Sequence, residues 1–334
     1  MSGLSIVVPV YNAEQYLEQC ILSIKNELTE CDQLVLVNDG SKDNSLDICK
    51  RYECENVLVI SNENHGVSYT RNCGNDNASC DYVMYVDADD YLLPGWRQDV
   101  ENGVKTGSDV VYFSPSGETE ASRRDIIANI LCVSGQKKLD IKGSACWYKL
   151  FSTKLIKENC IKFDSELING EDGIFSLQCF LRSKSYTIVK AGMFYYYRIN
   201  NTSATHTFNP KFNSSNIKFL QTVKCELSSY NDFNAEEIKT TVYYLTYNGL
   251  YILASRISFL DSKNERSQHY GLFESPMYLE FWNDFDNKWS HQKFKTKIIN
   301  LIRDKKYDKV MSRIRLRRKI FNLAKKVLRR KNGF

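Results

Sequence analysis

Short apolar runs alternate with amphipathic stretches from the amino terminus onward, and each run ends in turn-forming or polar residues. Leu4-Ser-Ile-Val-Val8, stopped by Pro9, has the continuous apolar character of a parallel strand covered on both faces. Glu14–Leu28 then carries Leu17, Ile21, Ile24 and Leu28 at helical spacing, with Asn12 available as a cap. A second strand over Gln33–Asn38 leads into Asp39-Gly-Ser41. A helix over Asp43–Tyr52, a strand over Val57–Ile60 and a helix over Val67–Asn77 follow. This pitch predicts a mostly parallel sheet with helices on both faces and right-handed crossovers. Ligands of such sheets collect beyond the carboxyl ends of the strands, where Pro9–Asn12, Asn38–Ser41, Asn62–Gly66 and Asp87–Asp90 all fall.

The strand-like run Asp81–Val86 delivers three carboxylates, Asp87, Asp89 and Asp90. Alternation in extended chain puts Asp87 and Asp89 on one side, at a spacing that suits a shared hard divalent cation. A paired acid in a loop is a weak signal alone; its position after a strand strengthens it. No GxGxxG opens the first helix and no GxxxxGK[ST] occurs, so a nucleotide here would be read by side chains and a metal.

Local sequence leaves several roles open. Asp39 is either an acceptor for a base's imide N–H or a turn former and cap for the helix after it. Arg71 reaches a nucleotide or pairs with an acid, and Gly74 allows close helix–sheet approach. Glu171 and Asp172, in Asn169-Gly-Glu-Asp-Gly173, are either helix-start stabilisers or catalytic acids.

Eleven cysteines occur in 334 residues, with no CxxC pair and no zinc-like spacing, so they are expected to be free, mostly buried thiols of a reducing compartment. The chain enters a strand at once, without room for a signal peptide, and no apolar run approaches the ~18–20 residues of a membrane span. A cytoplasmic location is the expectation. Residues 313–331 hold ten Arg/Lys and no acid; removing them from the total of 45 leaves 35 basic against 40 acidic residues. The excess positive charge is therefore local.

Five segments together resemble a known family: Val8-Pro-Val-Tyr-Asn12, Val37-Asn-Asp-Gly-Ser-Lys-Asp-Asn-Ser45, Asn62-Glu-Asn-His-Gly-Val67, Arg71-Asn-Cys-Gly74 and Tyr85-Val-Asp-Ala-Asp-Asp90. Their order and spacing resemble the family 2 inverting glycosyltransferases of bacterial surface-polysaccharide type. The resemblance implies a GT-A fold, an α/β Rossmann-like sheet, here with a C-terminal helical region. It also implies a uridine diphosphate sugar donor and Mn²⁺ or Mg²⁺. By that pattern Pro9, Tyr11, Asn12, Asp39, Arg71, Asp87 and Ala88 surround the donor nucleotide. Asp89, with Asp87 beside it, holds the metal, and Asp172, next to Glu171, is the general base. Cys146-Trp-Tyr-Lys-Leu-Phe151 is similar to the family's acceptor-side segment, in which Trp147 offers a stacking face and Lys149 a hydrogen bond; an aromatic wedge between helices and sheet is the alternative. Tyr196-Tyr-Arg198, with Ser203, resembles a later family element from which Arg198 and His206 approach the diphosphate.

These roles imply one in-line displacement with inversion. The expected organisation is a catalytic domain over 1–210 (nucleotide-sugar half 1–100, acceptor and base half 101–210), a helical subdomain over 211–311 and a basic tail helix over 312–334. Helices near 215–230 and 235–260 pack on the catalytic unit or on another subunit, so a homo-oligomer stays open. In the tail, Leu316, Ile320, Leu323 and Val327 form a stripe beside cations, as in helices that adsorb to anionic bilayers. A helix packed on the body is the alternative, and nucleic-acid binding is disfavoured by the net acidity of the remainder. The acceptor is then a lipid-pyrophosphate-linked or polysaccharide hydroxyl at the inner face of the plasma membrane. Two rival functions are a sugar-1-phosphate nucleotidyltransferase, disfavoured because Pro9–Asn12 is no glycine- and arginine-rich loop, and a non-catalytic glycan-binding scaffold.

Overall fold

A computed structural model of the chain describes residues 3–133, 139–198, 208–285 and 293–331. It divides into two compact units, residues 1–199 and 200–334.

In the first unit the expected alternation forms in order: β1 (Leu4–Val10), α1 (Leu17–Lys25), β2 (Gln33–Asp39), α2 (Ser45–Arg51), β3 (Val57–Asn62), α3 (Val67–Asn77) and β4 (Tyr82–Tyr85). Then come β5 (Tyr91–Leu92), α4 (Trp96–Val104), β6 (Val110–Ser114), α5 (Arg123–Ile130), β7 (Lys149–Ser152), α6 (Thr153–Glu158), α7 (Glu171–Arg182), β8 (Tyr186–Lys190) and β9 (Tyr195–Tyr196). Seven strands form one sheet in the order β3-β2-β1-β4-β7-β6-β8, and β5 pairs with β9 in a separate two-stranded ribbon. β1 to β4 are parallel to one another, as are β6 and β8; β7 runs antiparallel to both neighbours. The sheet is thus mostly parallel by pairing, and β7 divides it into a nucleotide-type half and a second half.

Two local expectations change. Pro9 does not stop β1, which pairs with β2 as far as Val10↔Asn38. The ladder to β4 ends at Val7↔Tyr85, so the missing N–H of Pro9 falls beyond that ladder. Asn12 does not cap α1, whose preceding residue is Tyr16. Instead Asn12 sits at φ 47°, accepts the Lys42 N–H at 2.8 Å and donates its own N–H to Ser41 Oγ at 3.0 Å. It ties the β1 and β2 loops together at the sheet's carboxyl edge.

The core of this unit is built from the residues that set the sequence pattern: Leu4, Ile6, Val8, Leu34, Leu36 and Met84 from strands, with Leu17, Ile21 and Ile24 from α1. On the other face, α3 lies against β1 at Gly74, where a Cβ would meet Val7 Cγ1 at 2.2 Å. Glycine is needed there for contact rather than for conformation. The cysteines are free, as expected, but only Cys20, Cys49, Cys146 and Cys179 are buried; Cys31, Cys54, Cys132, Cys160 and Cys225 are exposed. Helical spacing alone does not say which face a cysteine occupies.

The second unit contains α8 (Phe212–Ser228), α9 (Ala235–Ile257), α10 (Lys263–Ser267), a 3-10 turn over Tyr270–Glu274, α11 (Pro276–Asn283), α12 (Lys293–Arg303) and α13 (Tyr307–Lys331). α9 starts at a capping box in which Asn234 and Glu237 exchange hydrogen bonds. Its buried side chains, including Tyr247, Leu250 and Leu253, make it the spine of the bundle. Among the described residues no helix is long and apolar enough to cross a membrane.

Candidate functional site

The carboxyl ends of β1, β2 and β4 bring the candidate residues to one edge. Asp87 and Asp89 are partly exposed and Ala88 and Asp90 are buried, but the expected extended chain is a turn here, with the Asp90 N–H donating to the Asp87 carbonyl at 3.0 Å. Two hard carboxylates, both partly exposed, have the chemistry that holds a divalent cation completed by substrate oxygens. Among the described residues no group of three or more His, Cys, Asp or Glu side chains could hold a metal unaided.

α3 presents Arg71 into this edge, 4% exposed. One terminal nitrogen lies 2.9 Å from Asp87 Oδ1 and the other 2.6 Å from Asp172 Oδ1, with Glu171 Oε1 at 3.6 Å. Arg71 also lies over the Phe163 ring, 5.4 Å from its centroid. Asn72 holds that segment by exchanging two 2.8 Å hydrogen bonds with the Phe163 backbone.

Glu171 and Asp172 open α7, entered through Gly170 at φ 88°, a left-handed conformation that glycine adopts without strain. The amino-terminal turn favours negative charge there. The second oxygen of Asp172 accepts the Cys146 N–H at 3.3 Å. Burial, then the neighbouring Asp172 charge, push the Glu171 carboxyl up to about 7 against the pull of Arg71. Burial also raises Asp87 above its ordinary value, opposed by Arg71.

Asp90 turns inward, 1% exposed. It accepts the Tyr195 hydroxyl at 2.7 Å and the Arg198 N–H at 2.8 Å, while the Tyr195 oxygen accepts the Asp87 N–H at 3.1 Å. The Arg198 guanidinium donates to the Asp89 carbonyl and to Gln19 Oε1, each at 2.8 Å. It lies over the rings of Tyr16 and Tyr91 at 4.6 and 5.5 Å. Arg198 thus grips the backbone of the carboxylate turn, where the sequence placed it toward a diphosphate. His206 and Ser203 lie outside the described residues.

Other expectations land differently. Asp39 caps no helix; its two oxygens accept the N–H groups of His65 and Gly66 at 2.8 and 2.9 Å and fix the loop that starts α3. Tyr11 is 49% exposed at the same edge. Trp147 stacks on Tyr195, 4.5 Å between centroids at 15°, and on Tyr197 at 5.9 Å. Lys149 is corrected outright. It is fully buried, and its ammonium donates to the carbonyls of Lys142, at 2.7 Å, and Ala145. Burial lowers it to about 8. Position 149 begins β7 with its side chain inward, so it holds the 142–145 loop and offers nothing to an acceptor.

Tyr195 was missed in the sequence. Its signal was available: residues alternating along β9 share a face, so Tyr195 and Tyr197 flank the Tyr196 and Arg198 of the recognised segment.

Residues 5–154 match the family described as Glycosyl transferase family 2. The chain is similar to "Putative glycosyltransferase EpsH" of Bacillus subtilis (strain 168), 26% identical over 243 residues, which cover 69% of this chain and 70% of that protein. It is also similar to "Glycosyltransferase GlyA" of Streptococcus pneumoniae serotype 4, 28% identical over 230 residues, or 63% of this chain but 32% of that longer protein. Among solved structures it resembles S. aureus TarS 1-349 in complex with UDP-GlcNAc, with a TM-score of 0.63 and 19% identity over 95% of this chain and 92% of that one. At that identity the likeness establishes the fold.

Proposed function

We propose that this chain, which belongs to glycosyl transferase family 2 and has the GT-A fold of related bacterial surface-polysaccharide enzymes, transfers a sugar with inversion from a uridine diphosphate donor to a hydroxyl of a polysaccharide or lipid-linked acceptor. The observation that carries the reading is the Arg71 bridge, which sets the Asp87 carboxylate of the donor turn and the Asp172 carboxylate on either side of one guanidinium. The TarS complex with UDP-GlcNAc supports the choice of donor class.

Asp172 would take the proton of the acceptor hydroxyl as that oxygen attacks the anomeric carbon, from the face opposite the leaving diphosphate. One displacement inverts the centre, so an α-linked donor yields a β-linked product. Asp39, Tyr11, Pro9 and Asn12 border the edge where the nucleoside would lie, with Ala88 behind it. Asp89, assisted by Asp87, would hold Mg²⁺ or Mn²⁺, which when bound supplies charge neutralisation at the departing diphosphate. Glu171 supports Asp172 electrostatically, and Trp147, stacked on Tyr195, borders the acceptor side. Adsorption of the basic carboxyl-terminal helix to an anionic bilayer fits an acceptor grown on a lipid at the inner face of the membrane.

The test is a panel of UDP-sugars with Mn²⁺, followed by release of UDP, then repeated with lipid-pyrophosphate-linked glycan acceptors. Release from one donor, lost in excess chelator and stimulated by acceptor, is the expected result. Release from none of them, or equal turnover with chelator, overturns the reading.

A further inference from the structure

Among its described side chains, helix α13 has two apolar faces, and the fold uses one of them. Val310, Met311 and Ile314 are buried within the second unit. From the same side, Arg315 donates to the carbonyls of Ser258 and Leu260 at 3.0 and 2.9 Å. Arg318 donates to Ser258 Oγ at 2.7 Å and to the Ser255 carbonyl at 3.2 Å. These bonds fasten α13 across the carboxyl end of α9. At about 100° per residue, Leu316, Ile320 and Leu323 fall together on the opposite side. They are 59%, 59% and 63% exposed. An aliphatic stripe this exposed, on a helix already anchored by its other face, is not part of the bundle's core.

Beside the stripe lies a pocket of about 360 Å³ between α10 and α13. Lys263, Arg266, Arg315 and Lys319 line it, against a single acid, Asp308. That acid is already engaged by Lys263 at 2.8 Å and by the Tyr270 hydroxyl at 3.1 Å. Formal charge among these side chains is net positive, with Lys263 paired to Asp308 and with Arg266 and Arg315 donating to the Leu260 carbonyl at 2.7 and 2.9 Å. Leu316 belongs both to the pocket wall and to the exposed stripe. An occupant that fills both must carry an anionic group a few ångströms from an aliphatic body.

We propose that this pocket seats the phosphate of an anionic phospholipid headgroup while Leu316, Ile320 and Leu323 enter the acyl boundary of the bilayer. The inference rests on the bilayer part of the proposed function and deepens it from general adsorption to a defined contact. Charge complementarity selects the lipid: cations line the pocket and Arg313 and Lys319 border the stripe, so long basic side chains can reach headgroups while the aliphatic groups descend. A nucleic acid would use the cations but gain nothing from Leu316, Ile320 and Leu323, although Phe321, 59% exposed on the same helix, offers a ring on which a base can stack.

The experiment is cosedimentation of the full chain with vesicles of phosphatidylcholine alone and of phosphatidylcholine mixed with phosphatidylglycerol. Binding to the mixed vesicles should exceed binding to the neutral ones by about tenfold or more, since each engaged cation favours an anionic surface. The double variant Leu316→Glu, Ile320→Glu should lose binding to both. Lys319→Glu should lose the preference for the anionic vesicles while circular dichroism shows the helical content intact. Wild-type binding by either variant, or equal binding to both vesicle types, overturns the inference. So does competition by inorganic phosphate well beyond that of sodium chloride at matched ionic strength, which would mark a soluble-anion site. Tighter binding to duplex DNA than to vesicles would overturn it in favour of nucleic acid. UDP release measured on the same samples without vesicles tests the transferase reading separately, because neither variant touches the first unit's site.

Discussion

The guanidinium of Arg71 lies 2.6 Å from the carboxylate of Asp172, and its remaining terminal nitrogen is bonded to Asp87. A carboxylate so paired is held in place by the guanidinium and restrained from moving. The turn after β4 and the start of α7 therefore share one cation.

Replacing Arg71 by Met should destabilise the first unit by about 3 kcal/mol, because it leaves two largely covered carboxylates facing one another without compensation. Urea unfolding followed by near-ultraviolet circular dichroism checks this. Retention of wild-type stability would mean that the ion pairs are made only loosely in solution.

Asp172→Asn keeps the shape and the hydrogen bond from Cys146 but removes the base. Transfer should fall by ~10²–10⁴-fold while the donor still binds. Asp89→Ala should weaken donor binding as well, and only in the presence of the divalent cation. Calorimetry with UDP, run with and without Mn²⁺, separates the two defects.

Glu171 is protonated below about 7 and ionised above it. Its negative charge, once formed, favours the positive charge that develops at the acceptor oxygen during attack, so kcat/KM should climb as pH rises through 7. Glu171→Gln should lose that limb of the profile. In stability the sign is opposite: a carboxyl raised from 4.5 to about 7 favours the fold below pH 4.5 and gives up that contribution by about 7.

Lys149, lowered to about 8 from 10.5, has the opposite linkage. Between those values the unfolded chain binds a proton that the folded chain does not, so stability should rise with pH across that window and fall again as pH returns through 8. Lys149→Met should remove this dependence and cost about 1–3 kcal/mol at neutral pH by orphaning the Lys142 and Ala145 carbonyls. Denaturant midpoints taken at several pH values decide it.

What the sequence made legible was whatever repeats at short range. The period of Leu17, Ile21 and Ile24 and the apolar runs of β1 and β2 each depend on neighbours a few residues away. They fold as their spacing requires. The five ordered segments gave the family for the same reason. Side-chain direction across long separations was not legible. Nothing near Lys149 states that its ammonium turns inward, and nothing near Arg198 states that it grips the Asp89 carbonyl, 109 residues earlier in the chain. Pro9 misled because its effect depends on which neighbouring ladder has already ended, a property of the assembled sheet.

The bonds from Tyr195 and Arg198 to the Asp87–Asp90 turn span 105 to 109 residues. During synthesis the ribosome therefore releases every residue of the family match, which ends at 154, well before the turn acquires its fastenings. A fragment truncated at that point would keep the recognisable signature, yet leave its acids on a turn without these bonds. Genome fragments of that length should not be counted as working enzymes on their signature alone.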